Sequence, residues 1–173
     1  MGGERPLTPG EVALAREVFG SAIDPAAVLI RRRKWFAFHP RKVTMAPSGH
    51  LHFHPGGDNY CDDFSQASPG MQGHFIHEMT HIWQTQTRGW WYVPLLGVVQ
   101  RKYAYTLKPG KPLTRYGIEQ QAEIVAHAFM LRRGWQVAGA GDLTGLLAAL
   151  PRAFGSDLIT RQFRPAPPSA EID

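Results

Sequence analysis

The sequence predicts an α+β domain: a small, mainly antiparallel sheet packed beside a helical bundle. Three observations predict it. Segments 69–88 and 114–133 carry apolar residues at helical spacing between start and stop signals. Segment 28–54 instead clusters β-branched and aromatic residues around a Pro47-Ser48-Gly49 turn. The composition, 43% apolar and 19% charged, is that of an ordinary globular chain and argues against disorder.

Thr8 and Glu11 have the spacing of a capping box, and Pro9 suits a first helical position. A first helix is therefore expected over 9–19, stopped by Gly20, with Val12, Ala15, Val18 and Phe19 on its apolar face. Segments 28–30 and 34–38 read as strands. Segments 43–46 and 50–54 read as the arms of a hairpin, ended by the loop 55–59. Ser68 and Pro69 open a second helix that runs to Arg88 and stops at Gly89, with Phe75, Ile76, Met79, Ile82 and Trp83 inward. Trp90 and Trp91 begin a bulky segment whose expected use is packing in the core or an interface. A third helix is expected over 114–133, with Gly134 as its stop and Ile118, Ala122, Val125, Ala126, Phe129 and Met130 buried. Asp142 opens and Pro151 closes a fourth, over 143–150. One domain then spans 1–163, followed by an extended Pro-rich tail, 164–173.

With 173 residues, the chain can bury a core without disulfide staples. Cys61 is the sole cysteine and sits beside Asp62 and Asp63, which disfavour a thiolate and hence a nucleophilic role. With Glu4, Pro6 and Pro9, the start does not read as a signal peptide, and no apolar run is long enough to span a membrane. The expectation is a chain that is cytoplasmic as synthesised, unless a dedicated secretion machine exports it. The net charge of +5 owes much to Arg31-Arg32-Arg33-Lys34, read as a solvated strand or loop end. No nucleic-acid motif accompanies that run, so nucleic acid is not an expected partner, whereas anionic cell-wall or membrane polymers are compatible with it.

The chemistry is concentrated in His77-Glu78-Met79-Thr80-His81. Residues four apart on a helix differ by about 40° in azimuth, so His77 and His81 can share one metal ion. Glu78 lies about 100° from His77, at the edge of the same groove, where it can act as general base without occupying a coordination position. Such a motif arises by chance in roughly 1–2% of shuffled sequences of this composition, so its setting in a capped helix matters. Zinc is the expected metal, with a zinc-activated water as the nucleophile.

A catalytic zinc usually has three protein ligands. The third is expected from the next helix, where Glu119 and Glu123 lie four apart. Glu119 is favoured as ligand, with Glu123 receiving the other N–H of a ligating histidine; the reverse assignment is the alternative. His74, one turn before His77, is expected to line the groove or to compete as a ligand. His127, four beyond Glu123, is either a donor to the transition state or a partner of Glu123. His50, His52 and His54 alternate along a strand, which spreads them over about 13 Å, too wide for one ion. At most one or two of them would line a cleft.

The stretch from His74 to Gln86 resembles the zincin helix of bacterial secretion-associated domains. These are the metallopeptidase-like domain of contractile injection systems and the Vgr-related proteins of type VI secretion. Ile118-Glu119-Gln120-Gln121-Ala122-Glu123 is similar to the second helix of the latter group, and Leu7-Thr8-Pro9-Gly10-Glu11 to its start. The resemblance implies a zincin-like, gluzincin fold with His77, His81 and Glu119 as zinc ligands and Glu78 as general base. It also implies a secretion-system component but supplies no substrate; a peptide or protein, such as cell-wall peptide, is what a peptidase would take. Two functions follow: a zinc-dependent metallopeptidase, or a non-catalytic zinc-stabilised module docking on a secretion spike or effector. Only the first has a use for Glu78.

Overall fold

The computed structural model describes residues 3–99 and 102–155. The expected tail 164–173 lies outside them, as does the end of the expected domain. The elements in order are β1 (Glu4–Pro6), α1 (Pro9–Phe19), β2 (Leu29–Arg31), β3 (Leu51–His52), α2 (Pro69–Arg88), α3 (Tyr92–Val99), α4 (Ile118–Arg132) and α5 (Leu143–Ala149). Short 3₁₀ turns at Pro25–Ala27, Phe64–Gln66 and Leu113–Arg115 join them. The class is α+β, as expected.

The capping box forms as read. Thr8 Oγ1 accepts the Glu11 N–H at 3.1 Å, and Glu11 Oε2 accepts the Thr8 N–H at 2.8 Å. Glu11 does more than cap. Fully buried, it also takes a two-pronged ion pair from Arg5 at 2.7 and 2.8 Å and the Phe64 N–H at 3.0 Å. One carboxylate thereby ties β1, α1 and the turn before α2 together. A buried charge is tolerable when its lone pairs are all used.

The sheet corrects the expectation of a mainly antiparallel one. It is mixed, in the order β1-β2-β3: β1 pairs antiparallel with β2, and β2 parallel with β3. The anticipated hairpin shrinks to one antiparallel bridge, Met45 to His52, with backbone bonds of 3.0 and 2.7 Å. Segment 34–38 is not a strand. His39 is buried instead, accepting the Trp35 N–H at 3.1 Å and bonding the Val43 carbonyl at 2.6 Å, which curls the chain into a loop. A side chain that satisfies local backbone groups competes with the sheet ladder.

The helices match more closely. α2 runs between Ser68 and Gly89, whose φ of 98° is a backbone state open to glycine. α4 starts four residues later than expected. Gln120 Oε1 accepts the Gly117 N–H at 3.1 Å, and Gln121 Nε2 donates to the Tyr116 carbonyl at 2.7 Å. These glutamines fix a non-helical entry. Trp90 and Trp91 are not core residues; they are 74% and 50% exposed ahead of α3, a helix not anticipated from the sequence.

Phe53, Phe64 and Phe75 stack in a column with centroids 5.5 and 5.2 Å apart, which seats α2 on the sheet side. On the other side α2 packs along α4. At Gly73 the absent side chain leaves room for the Met130 thioether of α4. The two helices thus approach closely one turn before His77.

Candidate metal centre

α2 and α4 bring His77, His81 and Glu119 to one point. One ligand atom from each lies within 4.8 Å of the others. Oε2 of Glu119 stands 3.3 Å from Nε2 of His77 and 3.3 Å from Nε2 of His81. Metal bonds of about 2.0–2.1 Å at tetrahedral angles put donor atoms about 3.3–3.4 Å apart. A charge-assisted hydrogen bond between the same groups would be nearer 2.7–2.9 Å. Two imidazoles and a carboxylate are also the donor types zinc takes, so the residues fit a divalent ion of that kind.

The outer nitrogens are spoken for. His81 Nδ1 lies 2.9 Å from Gln84 Oε1. The Gln84 amide nitrogen already donates to the Ile118 carbonyl and to Gln121 Oε1, both at 3.0 Å. Its oxygen must therefore accept, so the His81 proton sits on Nδ1 and Nε2 is free to ligate. His77 Nδ1 lies 3.1 Å from Glu123 Oε1, an acceptor, so Nδ1 carries a proton and Nε2 is the nitrogen turned to Glu119. The other Glu123 oxygen is 3.0 Å from His127 Nε2, and His127 Nδ1 is 2.6 Å from the Tyr105 hydroxyl. Burial raises the Tyr105 pKa to about 12, so the phenol keeps its proton and donates it. Tyr105, His127, Glu123 and His77 form one chain with a single consistent set of donors and acceptors.

The electrostatics follow. Burial opposes charge on His77, but Glu119 and Glu123 outweigh it and raise its pKa to about 10. Burial raises the Glu119 carboxyl, and His77 and His81 more than reverse that, to about 2. Glu123 is held at about 2, first by His127 and then by His77. The site is built to hold positive charge between two carboxylates.

A cavity of about 360 Å³ opens beside these groups. His77, Glu78, Glu123 and His127 line it from the helices, Lys42, Val43 and Thr44 from the loop before β3, and Tyr103 with its ring stacked 6.0 Å from that of His77. His74 also lines it, bonded to Thr44 Oγ1 at 2.7 Å and 3.9 Å from Glu78 Oε1. Burial lowers the pKa of His74. None of His50, His52 and His54 lines it, not even the one or two that the strand spacing would allow. Sequence reasoning missed Gln84, Gln121 and Tyr105. The first was findable, because it lies three residues after His81 on the same helix. Tyr105 is joined to α4 only by the fold.

No family model matches the chain. The chain is 37% identical over 161 residues to the type VI secretion system spike protein VgrG2b of Pseudomonas aeruginosa. That alignment takes in 87% of this chain but spans only 15% of the spike protein. The solved effector domain of Pseudomonas aeruginosa VgrG2b superposes with a TM-score of 0.70 at 35% identity, over 85% of this chain and 84% of that one. The chain belongs to the family of the VgrG2b effector domain of type VI secretion.

Proposed function

We propose that this chain is a zinc-dependent metallopeptidase domain exported by a type VI secretion system, cleaving peptide bonds with Glu78 as general base. The observation that carries the reading is Oε2 of Glu119 at 3.3 Å from both histidine Nε2 atoms, with Glu78 on the wall of the adjoining cavity. His77, His81 and Glu119 would hold the ion. Zinc bound there supplies a Lewis acid that lowers the pKa of a water toward about 7.

The remaining work belongs to the chain. Glu78 is buried at the cavity edge and free of any coordination duty, so its carboxylate can take the proton of the attacking water and pass it to the leaving amine. Gln84 and Glu123 hold the two imidazoles with Nε2 inward. A three-donor set opening on a cavity favours catalysis over the alternative of a zinc-stabilised docking module, which would close its coordination with a fourth protein ligand.

The test is Glu78→Gln. Metal content should match the wild type, while hydrolysis of a broad peptide or peptidoglycan-peptide library falls by about 10²–10⁴-fold. Equal cleavage by both proteins would remove Glu78 from the mechanism. A wild-type protein that takes up no zinc would overturn both the peptidase and the docking module.

A further inference from the structure

We propose that the loop over residues 32–43 is a docking surface for an anionic phospholipid bilayer. Between Asp24 and Asp58 the chain has six Lys and Arg residues and no carboxylate. Arg31 is committed to Glu4 at 3.1 Å. The other five, Arg32, Arg33, Lys34, Arg41 and Lys42, are all exposed. Between them stand Trp35, Phe36 and Phe38, which are 45%, 44% and 88% exposed. Scattered apolar residues on a surface need no explanation, but three large ones within four positions, flanked in sequence by cations, do.

The exposure is built in. His39, buried beneath the loop, bonds both Trp35 and Val43, and Phe36 stacks on its ring at 6.1 Å. Trp35 meets His52 edge-on at 4.9 Å. Little ordering is therefore left to be done on binding. Reversible attachment to a membrane needs two signals, an apolar insertion and a basic patch, and this loop carries both. An acidic protein would have to shape a cover for protruding aromatic side chains; a bilayer interface accepts them without complementarity. Lys42 and Val43 also line the cavity, so attachment sets the cleft mouth beside the lipid surface. Among the described residues no helix is long and apolar enough to cross a membrane, so the contact is peripheral.

The test is sedimentation of the whole chain with vesicles of phosphatidylethanolamine and phosphatidylglycerol, against vesicles of phosphatidylcholine, with tryptophan emission recorded. The wild type should bind the anionic vesicles with blue-shifted emission, weaken with added salt, and ignore the zwitterionic ones. Phe38→Ser should weaken binding about 10-fold. Lys34→Glu with Arg41→Glu should weaken it on the order of 100-fold. Circular dichroism identical to wild type shows that both variants fold. No binding to anionic vesicles, or binding unchanged in both variants, would overturn the proposal. So would soluble polyglutamate that competes fully while Phe38→Ser has no effect, since the surface would then be a site for acidic protein.

Discussion

His77 and His81 stand one turn apart on α2, between the carboxylates of Glu119 and Glu123. His50, His52 and His54 stand in and beside β3, the first two near Arg31 and Arg33 and the third near Lys34 and Arg41. The helical pair sends both Nε2 atoms to one oxygen, and on His77 the carboxylates raise the pKa to about 10 despite burial. In the strand group burial comes first and the arginines add to it, pushing His52 down to about 4 and lowering His50 as well. Three histidines in five residues are a denser cluster than two in five, yet only the pair is placed to hold a cation. Spacing and the sign of the neighbours decide it, not histidine count.

The sharpest way to break this contrast is to delete ligands on each side. His81→Ala should lower zinc affinity by about 10³-fold or more, because one of the three converging donors is lost. Glu119→Ala should act similarly, whereas Glu123→Ala should keep measurable zinc. Changing His50 and His54 to Ala together should leave metal content unchanged in elemental analysis. Retained zinc in Glu119→Ala with loss in Glu123→Ala would exchange the roles of the two carboxylates.

Proton release offers a second test. In the metal-free protein the raised His77 pKa means a proton occupies the place a metal must take. Binding then expels about one proton below pH 10, so apparent zinc affinity should rise about tenfold per pH unit between pH 6 and 8. A flat profile by competition titration would mean that His77 is neutral without metal.

Much of this centre was legible in the sequence because it is written in helical spacing. His77, His81, Glu119 and Glu123 all sit at intervals of four on two helices, and periodicity needs no knowledge of the fold. The strand region was read less well. His39 captures two backbone groups and converts residues 34–38 from a strand into a loop, and no alternation pattern reveals that a buried ring will do so. α4 is shorter than its periodicity predicts for a similar reason, since Gln120 and Gln121 bond backward to Gly117 and Tyr116. The sheet direction also escaped, because the parallel pairing of β2 with β3 is set by the path of that same loop.

Intermediate effects come from the residues behind His77. Glu123→Gln should reduce zinc affinity by about 10–100-fold while leaving the three donors in place. Tyr105→Phe removes only the far end of the chain and should cost a few-fold, on the order of one neutral hydrogen bond. Equal losses from Glu123→Gln and Tyr105→Phe would mean that the chain acts as a rigid unit rather than fading with distance from the metal.

The smallest effect lies on the strand side and appears in stability. His52 is buried, and neither ring nitrogen has a partner in hydrogen-bonding geometry. Its folded pKa of about 4 lies below the unfolded value of 6.5, so the unfolded chain binds the proton first as pH falls. The neutral ring's contribution is therefore intact above pH 6.5 and is lost as pH drops through about 4. Glu119 and Glu123, also depressed, destabilise in the same direction at lower pH, so wild type alone does not isolate the term. The difference between wild type and His52→Leu does. Between pH 7 and pH 4 the wild type should lose on the order of 1–2 kcal/mol more than the variant in urea unfolding. An identical pH dependence for the two would mean that His52 finds a proton-accepting partner on acidification, and the contrast with the helical pair would narrow to spacing alone.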